Sequence, residues 1–351
     1  MLGYSSGFRP DRRQRLYDAW NNRVARKAYK RLVATEPHRK LTADQRREIK
    51  SYAASKLGGT IHAPWLYYIA AFRGAFVENC IPPTYTSRYI LPPPENAQRH
   101  LLSRTIARRV LGTDRFPDVA FVFNGQLFDL NGDHLSPKNF ARQIFDQHPF
   151  LYLKEEESVR GLGVKRTQAE AFAADIAQAQ AAVLQTHVAS HPDLLRFSPQ
   201  GTPTVRVHTI QHDGNVYATS GILRMGRQGE GHVQSATQIS VAIDIHTGRL
   251  HHTGMVPDYA PTKHHPDTGL VFDGETVYGF DAIVDLCKDL QRRAPFARFT
   301  GWDATVTPDG KVMLYEANNG HNVLVLPEAS FGPILGEFGW HELHLQKPFY
   351  A

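Results

Sequence analysis

Cysteine is scarce: Cys80 and Cys287 are the only two in 351 residues and stand far apart in the sequence. That excludes a disulfide-stapled scaffold and a thiolate zinc site of Cys-x-x-Cys type, and it implies a reducing, cytoplasmic setting. Long hydrophobic runs are also lacking. The longest, Trp65 to Phe72, is eight residues and stops at Arg73, against the roughly 20 needed to cross a bilayer, so no transmembrane segment is expected. The opening residues Met1 to Pro10 have no basic stretch leading into an apolar one, and no secretory signal is expected. Neither an internal repeat nor a low-complexity tract interrupts the chain. With 42% hydrophobic and 21% charged residues, the composition excludes disorder and coiled coil, and the length exceeds that of one small module.

What is present is a strong charge asymmetry. The net charge is +6, yet the first fifty residues hold fourteen Lys and Arg against five Asp and Glu, leaving the remainder slightly acidic. A basic arm on a nearly neutral body differs from a uniformly basic nucleic-acid binder. Leu16, Trp20, Val24, Ala28 and Leu32 recur at helical spacing in this arm, which predicts an amphipathic helix docked on the body through that stripe. Contact of its basic face with an anionic membrane surface or an acidic partner is the functional alternative.

Further along, helices are expected over 41–56, 61–78, 101–111, 137–146, 168–182 and 281–293. Pro82-Pro83 and Pro92-Pro93-Pro94 predict a non-helical connector between them, because proline lacks the amide donor and restricts its predecessor. Strands are expected at 149–154, 183–188, 204–211, 216–223, 239–245, 302–307 and 311–317, and Asn124-Gly125 predicts a hairpin joining 119–123 to 126–130. Helices mixed with antiparallel hairpins give an α+β class.

The segment Gly301 to Asn318 carries the most chemistry. Asp309-Gly310 is a favoured two-residue hairpin turn. With that loop, Pro308 faces Lys311 and Asp303 faces Glu316, and Asn318 shares the face of Glu316. Two opposed carboxylates repel unless a cation lies between them, and an oxygen-only set suits Mg²⁺ or Mn²⁺. The alternative is an ordinary hairpin with a solvated polar face. A second hairpin through Asp213-Gly214 would place Arg206 opposite Gly221 and Arg224 on the other face, so both arginines share a site only if a bulge or a longer loop intervenes.

Asp303, Glu316 and Asn318, together with Leu153-Lys154, Thr204-Val205-Arg206, Leu223-Arg224-Met225-Gly226, His265-Pro266-Asp267-Thr268-Gly269 and Gly301-Trp302 in this order, resemble the ATP-grasp superfamily and, within it, the sugar-transfer-associated branch. The resemblance covers residues 100–326 and implies two α+β lobes gripping ATP. Residues 1–95 then form a helical extension, with the basic arm at 1–50. Residues 96–188 form the lobe with phosphate loop and hinge strand, and 189–351 the lobe with the metal-binding hairpin. By the same resemblance Asp303, Glu316 and Asn318 hold magnesium, and Lys154, Arg160, Gly161 and Gly163 contact phosphate. Gln185, Thr186, His187 and Val188 line adenine, Arg206 and Arg224 act on the transferring phosphoryl group, and His265 and Thr268 face substrate. An ammonium ending an apolar strand, as Lys154 does, has reason to be there if it meets an anion. The sequence departs from the family where its glycine-rich loop should stand, with Glu155-Glu156-Glu157-Ser158, and before Ile239, where His232 to Ser235 replace an Asp-Asn.

The implied activity is ATP-dependent carboxylate activation through an acyl phosphate, joining a carboxylate to an amine or hydroxyl acceptor, in a glycan or polysaccharide context. A kinase on the same fold and a non-catalytic nucleotide-binding scaffold are the competing readings, the second favoured by the acidic loop. The paired histidines His251-His252 and His264-His265 lack the i, i+4 spacing of a helical zinc site.

Overall fold

The computed structural model describes residues 12–93, 96–156, 163–199, 203–227, 229, 233, 236–320 and 322–346. A helical layer comes first: α1 (Arg12–Thr35), α2 (Ala43–Lys56), α3 (Ala63–Arg73) and α4 (Pro83–Tyr89). The next short helix, α5 (Ala107–Leu111), leads into a six-stranded sheet. Its strands are β1 (Asp118–Phe123), β2 (Gln126–Phe128), β3 (His134–Leu135), β4 (Leu151–Glu155), β5 (Val164–Thr167) and β6 (Ala181–Gln185), in the order β3-β2-β1-β6-β4-β5. Helices α6 (Pro137–Ile144) and α7 (Ala169–Gln178) belong to this lobe, and the turn α8 (Pro192–Leu195) leaves it.

The second sheet has seven strands in the order β11-β10-β9-β8-β7-β12-β13. They are β7 (Thr204–His212), β8 (Asn215–Met225), β9 (Ile239–Ile243), β10 (Gly254–Met255), β11 (Pro261–Thr262), β12 (Phe299–Val306) and β13 (Val312–Asn318), with α9 (Phe280–Arg293) behind and α10 (Val325–Phe331) following.

Period-two alternation gives each sheet two different faces. In the first sheet Ala120, Val122, Leu153 and Leu184 pack under Phe172 and Ile176 of α7, which leaves Tyr152, Lys154, Val183 and Gln185 on the opposite face. In the second sheet Val205, Val207, Leu223, Trp302 and Leu314 pack against Ile283, Cys287 and Leu290 of α9. The cleft lies between the two remaining faces, where the Lys154 ammonium stands 5.5 Å from the centre of the Tyr315 ring.

The helical layer covers part of that second face. Ile210, Ile222, Ala242 and Phe299 share one core with Trp65, Leu66, Ile69, Leu324, Val325 and Trp340. Nine of the eleven residues of α3 are buried, the pattern of a helix enclosed on all sides. A capping box between Thr42 and Gln45 starts α2, worth about 1 kcal/mol, and Gly74 at φ +88° ends α3.

Several boundaries differ from expectation. Helix α1 docks through Asp18, Asn21, Asn22, Ala25, Ala28 and Leu32, while Leu16 and Trp20 are 63% and 46% exposed. Polar bonds turn the helix: Arg88 pairs with Asp18, and Asn22 Nδ2 donates to the Ile61 carbonyl at 3.0 Å. The proline-bracketed connector contains a helix, α4, with Pro83 at its first turn, where the missing amide costs nothing. The expected helix over 101–111 breaks into a 3₁₀ turn at Ala97–Leu102 and α5. Helix α7 stops at Gln178, and β6 starts at Ala181 and ends at Gln185 rather than at Val188.

Between the helical layer and the second sheet, Glu328 of α10 is fully buried. Its carboxyl lies by the Cys80 thiol and the Ile81 and Ile334 amides without a hydrogen bond of normal geometry. Burial pushes its pKa from 4.5 up to about 8, although those neighbours and Arg73 pull it back. A folded-state value above the unfolded one contributes stability that is full below pH about 4.5 and is lost as pH rises through about 8. Glu328→Gln, which keeps the shape without the charge, is therefore expected to melt above wild type at pH about 9, with the gap narrowing as pH falls and closing only near pH about 4.5. Thermal melts across that range check the sign.

Candidate functional site

The site begins with two irregularities in β-pairing. In the β12–β13 hairpin the turn has three residues, not two: Thr307 N–H donates to Lys311 O at 2.9 Å and Gly310 N–H to Thr307 O at 2.9 Å. Thr307, rather than Pro308, therefore faces Lys311. Val306 pairs with Val312 and Ala304 with Leu314, but Asp303 pairs with Glu316, because Tyr315 is an extra residue on β13. Leu314 points into the α9 core, so uninterrupted alternation would bury Glu316 with it; the bulge turns Glu316 and Asn318 to the face of Asp303.

The β7–β8 hairpin repeats the device. His212 pairs with Asn215 and Thr209 with Ala218, whereas His208 pairs with Ser220 and Arg206 with Ile222. Thr219 is the additional residue. It places Arg224 on the same face as Arg206, so of the two devices that could unite them, a bulge or a longer loop, the bulge is the one present.

Arg206 meets Asp303 with both prongs of its guanidinium, Nε at 2.7 Å from Oδ1 and Nη2 on Oδ2. Arg224 Nη1 stands 3.5 Å from both oxygens. Burial alone would raise the Asp303 pKa, but Arg206 and Arg224 outweigh it and hold the carboxyl below 3.8. Burial and the Arg206 charge push Arg224 down to about 10. The Asn318 amide bridges, accepting from Arg206 Nη2 and donating to Glu316 Oε1 at 2.9 Å each. His208, held by Ser220 Oγ at 2.8 Å from Nδ1, is kept neutral by burial and the two arginines, its pKa well below 6.5.

Across the cleft, burial lowers the Lys154 pKa to about 8, while Glu316 pulls it back up. Among the described residues no carboxylate stands within ion-pair distance of it. Sequence reasoning missed Arg104, whose Nη2 reaches Glu316 Oε1 at 3.2 Å, and Asp118, whose Oδ1 accepts from Gln185 Nε2 at 2.7 Å. Arg104 was hidden inside the helix expected over 101–111. Burial pushes Asp118 up to about 6, and its Oδ2 has no partner among the described residues. The carboxylate of Glu156, in the acidic triplet, is occupied by the chain before α5, accepting from the amides of Arg104 at 3.0 Å and Thr105 at 2.9 Å and from the Thr105 hydroxyl at 2.7 Å.

Of the hinge candidates, Gln185 is buried on the cleft face, Thr186 N–H donates to Pro117 O at 3.0 Å, and His187 lies beside the rings of Phe150 and Tyr152. Val188 is buried. His265 is also buried, with Nε2 at 3.1 Å from Gly226 O and Nδ1 accepting from the Asp267 amide, so both ring nitrogens are occupied in holding its loop. Thr268 is exposed in that loop and accepts from the Leu270 amide. Gly163 precedes β5; Arg160, Gly161, Glu157, Ser158, His232, Gln234 and Ser235 lie outside the described residues. No cluster of three or more His, Cys, Asp or Glu side chains suited to a metal occurs among the described residues. Asp303, Glu316 and Asn318 are adjacent, and arginines neutralise both carboxylates.

Residues 168–333 match the family model described as sugar-transfer associated ATP-grasp. No curated protein matches the chain. Among solved structures, the chain is similar to an N5-carboxyaminoimidazole ribonucleotide synthetase in complex with ADP, at 13% identity over 63% of this chain and 45% of that one, TM-score 0.37. It is also similar to the D-alanine-D-alanine ligase from Coxiella burnetii (11%, 70% and 57%, 0.40) and the biotin carboxylase from Campylobacter jejuni (13%, 72% and 48%, 0.43). The chain thus spans about half the length of these proteins.

Gly301 faces Asn318 across the hairpin, and a Cβ there would lie 2.2 Å from Asn322 Oδ1. Asn322 Nδ2 in turn donates to Asn318 O at 2.7 Å. Gly301→Ala is expected to displace Asn322 and to cost about 1–3 kcal/mol, the range for overpacking a tight site, read as a lower denaturant midpoint with unchanged slope.

Proposed function

From residues 168–333 as a sugar-transfer associated ATP-grasp segment, we propose that this protein is an ATP-dependent ligase that activates a substrate carboxylate as an acyl phosphate and passes it to an amine or hydroxyl acceptor. The observation that carries the reading is the charge arrangement across one cleft: Lys154 on the first sheet, and Asp303, Glu316, Arg206 and Arg224 on one face of the second. The family description attaches sugar transfer, so sugar acids and amino sugars are the substrates to try first; that step is analogy.

Each residue has a part that its surroundings support. Lys154 offers a positive charge with no described carboxylate at contact distance, which suits nucleotide phosphate. Arg206 spends its fork on Asp303 and Asn318 and acts as a positioning residue. Arg224 keeps a looser contact with Asp303, and its side chain is 22% exposed, so it is the arginine available to a transferring phosphoryl group. Gln185 to Val188 are assigned to adenine and Gly163 to phosphate. Asp303, Glu316 and Asn318 supply oxygen only, the donor set that fits Mg²⁺ or Mn²⁺, and Glu316, its side chain 31% exposed, is the carboxylate open to the cleft. A bound Mg²⁺ would supply neutralisation of phosphate charge. No protein nucleophile is needed: burial pushes both the Cys80 and the Cys287 thiol up, away from thiolate formation.

The scaffold reading drew its support from the acidic loop, and the turn of Glu156 into the Arg104 and Thr105 amides weakens it. Phosphate release that depends on both a carboxylate and an acceptor supports the ligase; a stable phosphorylated product marks a kinase instead. Glu316→Gln is expected to reduce turnover by at least about a hundredfold, the scale of a lost charge-stabilising group, with an unchanged melting profile; turnover at the wild-type rate removes Glu316 from the site.

Lys154 supplies a pH signature. Its ammonium, brought to about 8 by burial, is charged at pH 7 and loses its proton above that value, so ATP affinity is expected to weaken between pH about 7 and 9.5. Lys154→Ala is expected to weaken ATP by about tenfold, equivalent to about 1.4 kcal/mol, and Lys154→Arg to flatten the pH dependence. Calorimetric titration at several pH values measures both.

A further inference from the structure

Helix α1 carries eight Lys and Arg residues and one acid, Asp18. All eight basic side chains are exposed, while Asp18 is buried and neutralised by Arg88. The outward charge of this helix is therefore positive throughout, and among the described residues only Arg31 is drawn off, by Asp258 at 3.0 Å. Leu16, Trp20, Arg23 and Lys27 follow one another at i, i+4, i+7 and i+11 down this face, with Arg12 and Arg13 beside them. Leu16 is 63% exposed, Trp20 46% and Tyr17 37%.

We propose that this face of α1 docks on an anionic lipid bilayer, lying in the plane of the headgroups. The proposal stands apart from the ligase reading, since none of these residues approaches the cleft. Charge complementarity selects an anionic surface. The apolar members select lipid over other polyanions: a leucine and two amphipathic rings gain nothing from a nucleic-acid backbone but enter the headgroup boundary, with their polar edges left in water. No described helix is long and apolar enough to cross a membrane.

The chain has four tryptophans, and Trp65, Trp302 and Trp340 are all buried. A blue shift of emission on adding vesicles therefore reports Trp20. The full chain is mixed with vesicles of phosphatidylcholine plus phosphatidylglycerol, or of phosphatidylcholine alone, at about 0.1 M and about 1 M salt, over which the Debye length shrinks from about 10 Å to about 3 Å. The expected result is sedimentation with the anionic vesicles only, a blue shift, and loss of both at high salt. Changing Arg12, Arg13, Arg23 and Lys27 together to Glu is expected to weaken binding more than about a hundredfold. Leu16→Ser, on a residue with little packing to lose, is expected to weaken it several-fold. Circular dichroism confirms that both variants are folded. Equal binding by the charge-reversed chain, equal binding to neutral vesicles, unmoved Trp20 emission, or retention by an oligonucleotide or acidic protein but not by vesicles would each overturn the proposal.

Discussion

The buried ion pair between Arg206 and Asp303 joins two neighbouring strands, and the charged side of the cleft is organised around it. Neither member could be buried alone: an unpaired charge at this depth costs several kcal/mol. Asp303 stays ionised because two guanidiniums surround it, and Arg206 stays ordered because its fork is filled by Asp303 and Asn318. Through Asn318 the pair sets Glu316, through Glu316 it touches Arg104, and through Arg224 it reaches the rim. Removing either partner would strand the other and release four side chains at once, so the network behaves as a unit whose single substitutions will not add.

The same place shows what the sequence could and could not disclose. A two-residue turn at Asp309-Gly310 predicts the opposition of Asp303 and Glu316. The pairing is correct, but two departures produce it: a three-residue turn shifts the register by one, and the bulge at Tyr315 shifts it back. Arg206 and Arg224 posed the inverse problem, since alternation from Asp213-Gly214 separates them and the bulge at Thr219 reunites them. A bulge has no reliable composition, which is why pattern alone leaves the facing of functional residues open even where the strands themselves are plain. Arg104, Asp118 and the hydrogen bonds of Glu156 were illegible for a related reason: their partners lie about 50 to 210 residues away in sequence, and nothing local announces them.

Periodicity located the amphipathic elements well and their buried faces less well. Helix α9 lies where its pattern placed it, because aliphatic spacing and burial agree there. Helix α1 buries Ala28 and Leu32 of its apparent stripe but leaves the stripe in its N-terminal half, where polar bonds made by Asp18 and Asn22, residues that count against burial in any hydropathy reading, fix its docking. Asp18, Asn21, Asn22 and Ala25 are then buried where the stripe had placed Leu16 and Trp20.

The core shared by the helical layer and the second sheet has a consequence for the order of synthesis. Trp65, Leu66 and Ile69 find their partners in Ile210, Phe299, Leu324 and Trp340, and Tyr85 donates to the carbonyl of His341 at 2.8 Å. A ribosome releases the helices long before those partners exist. Throughout that interval α3 displays an apolar surface that no part of the nascent chain yet covers, the condition under which chains aggregate or are held by chaperones. Folding of the layer is thus tied to completion of the C-terminal half, and the most exposed moment in the life of this protein falls while the rest of the chain is still being made.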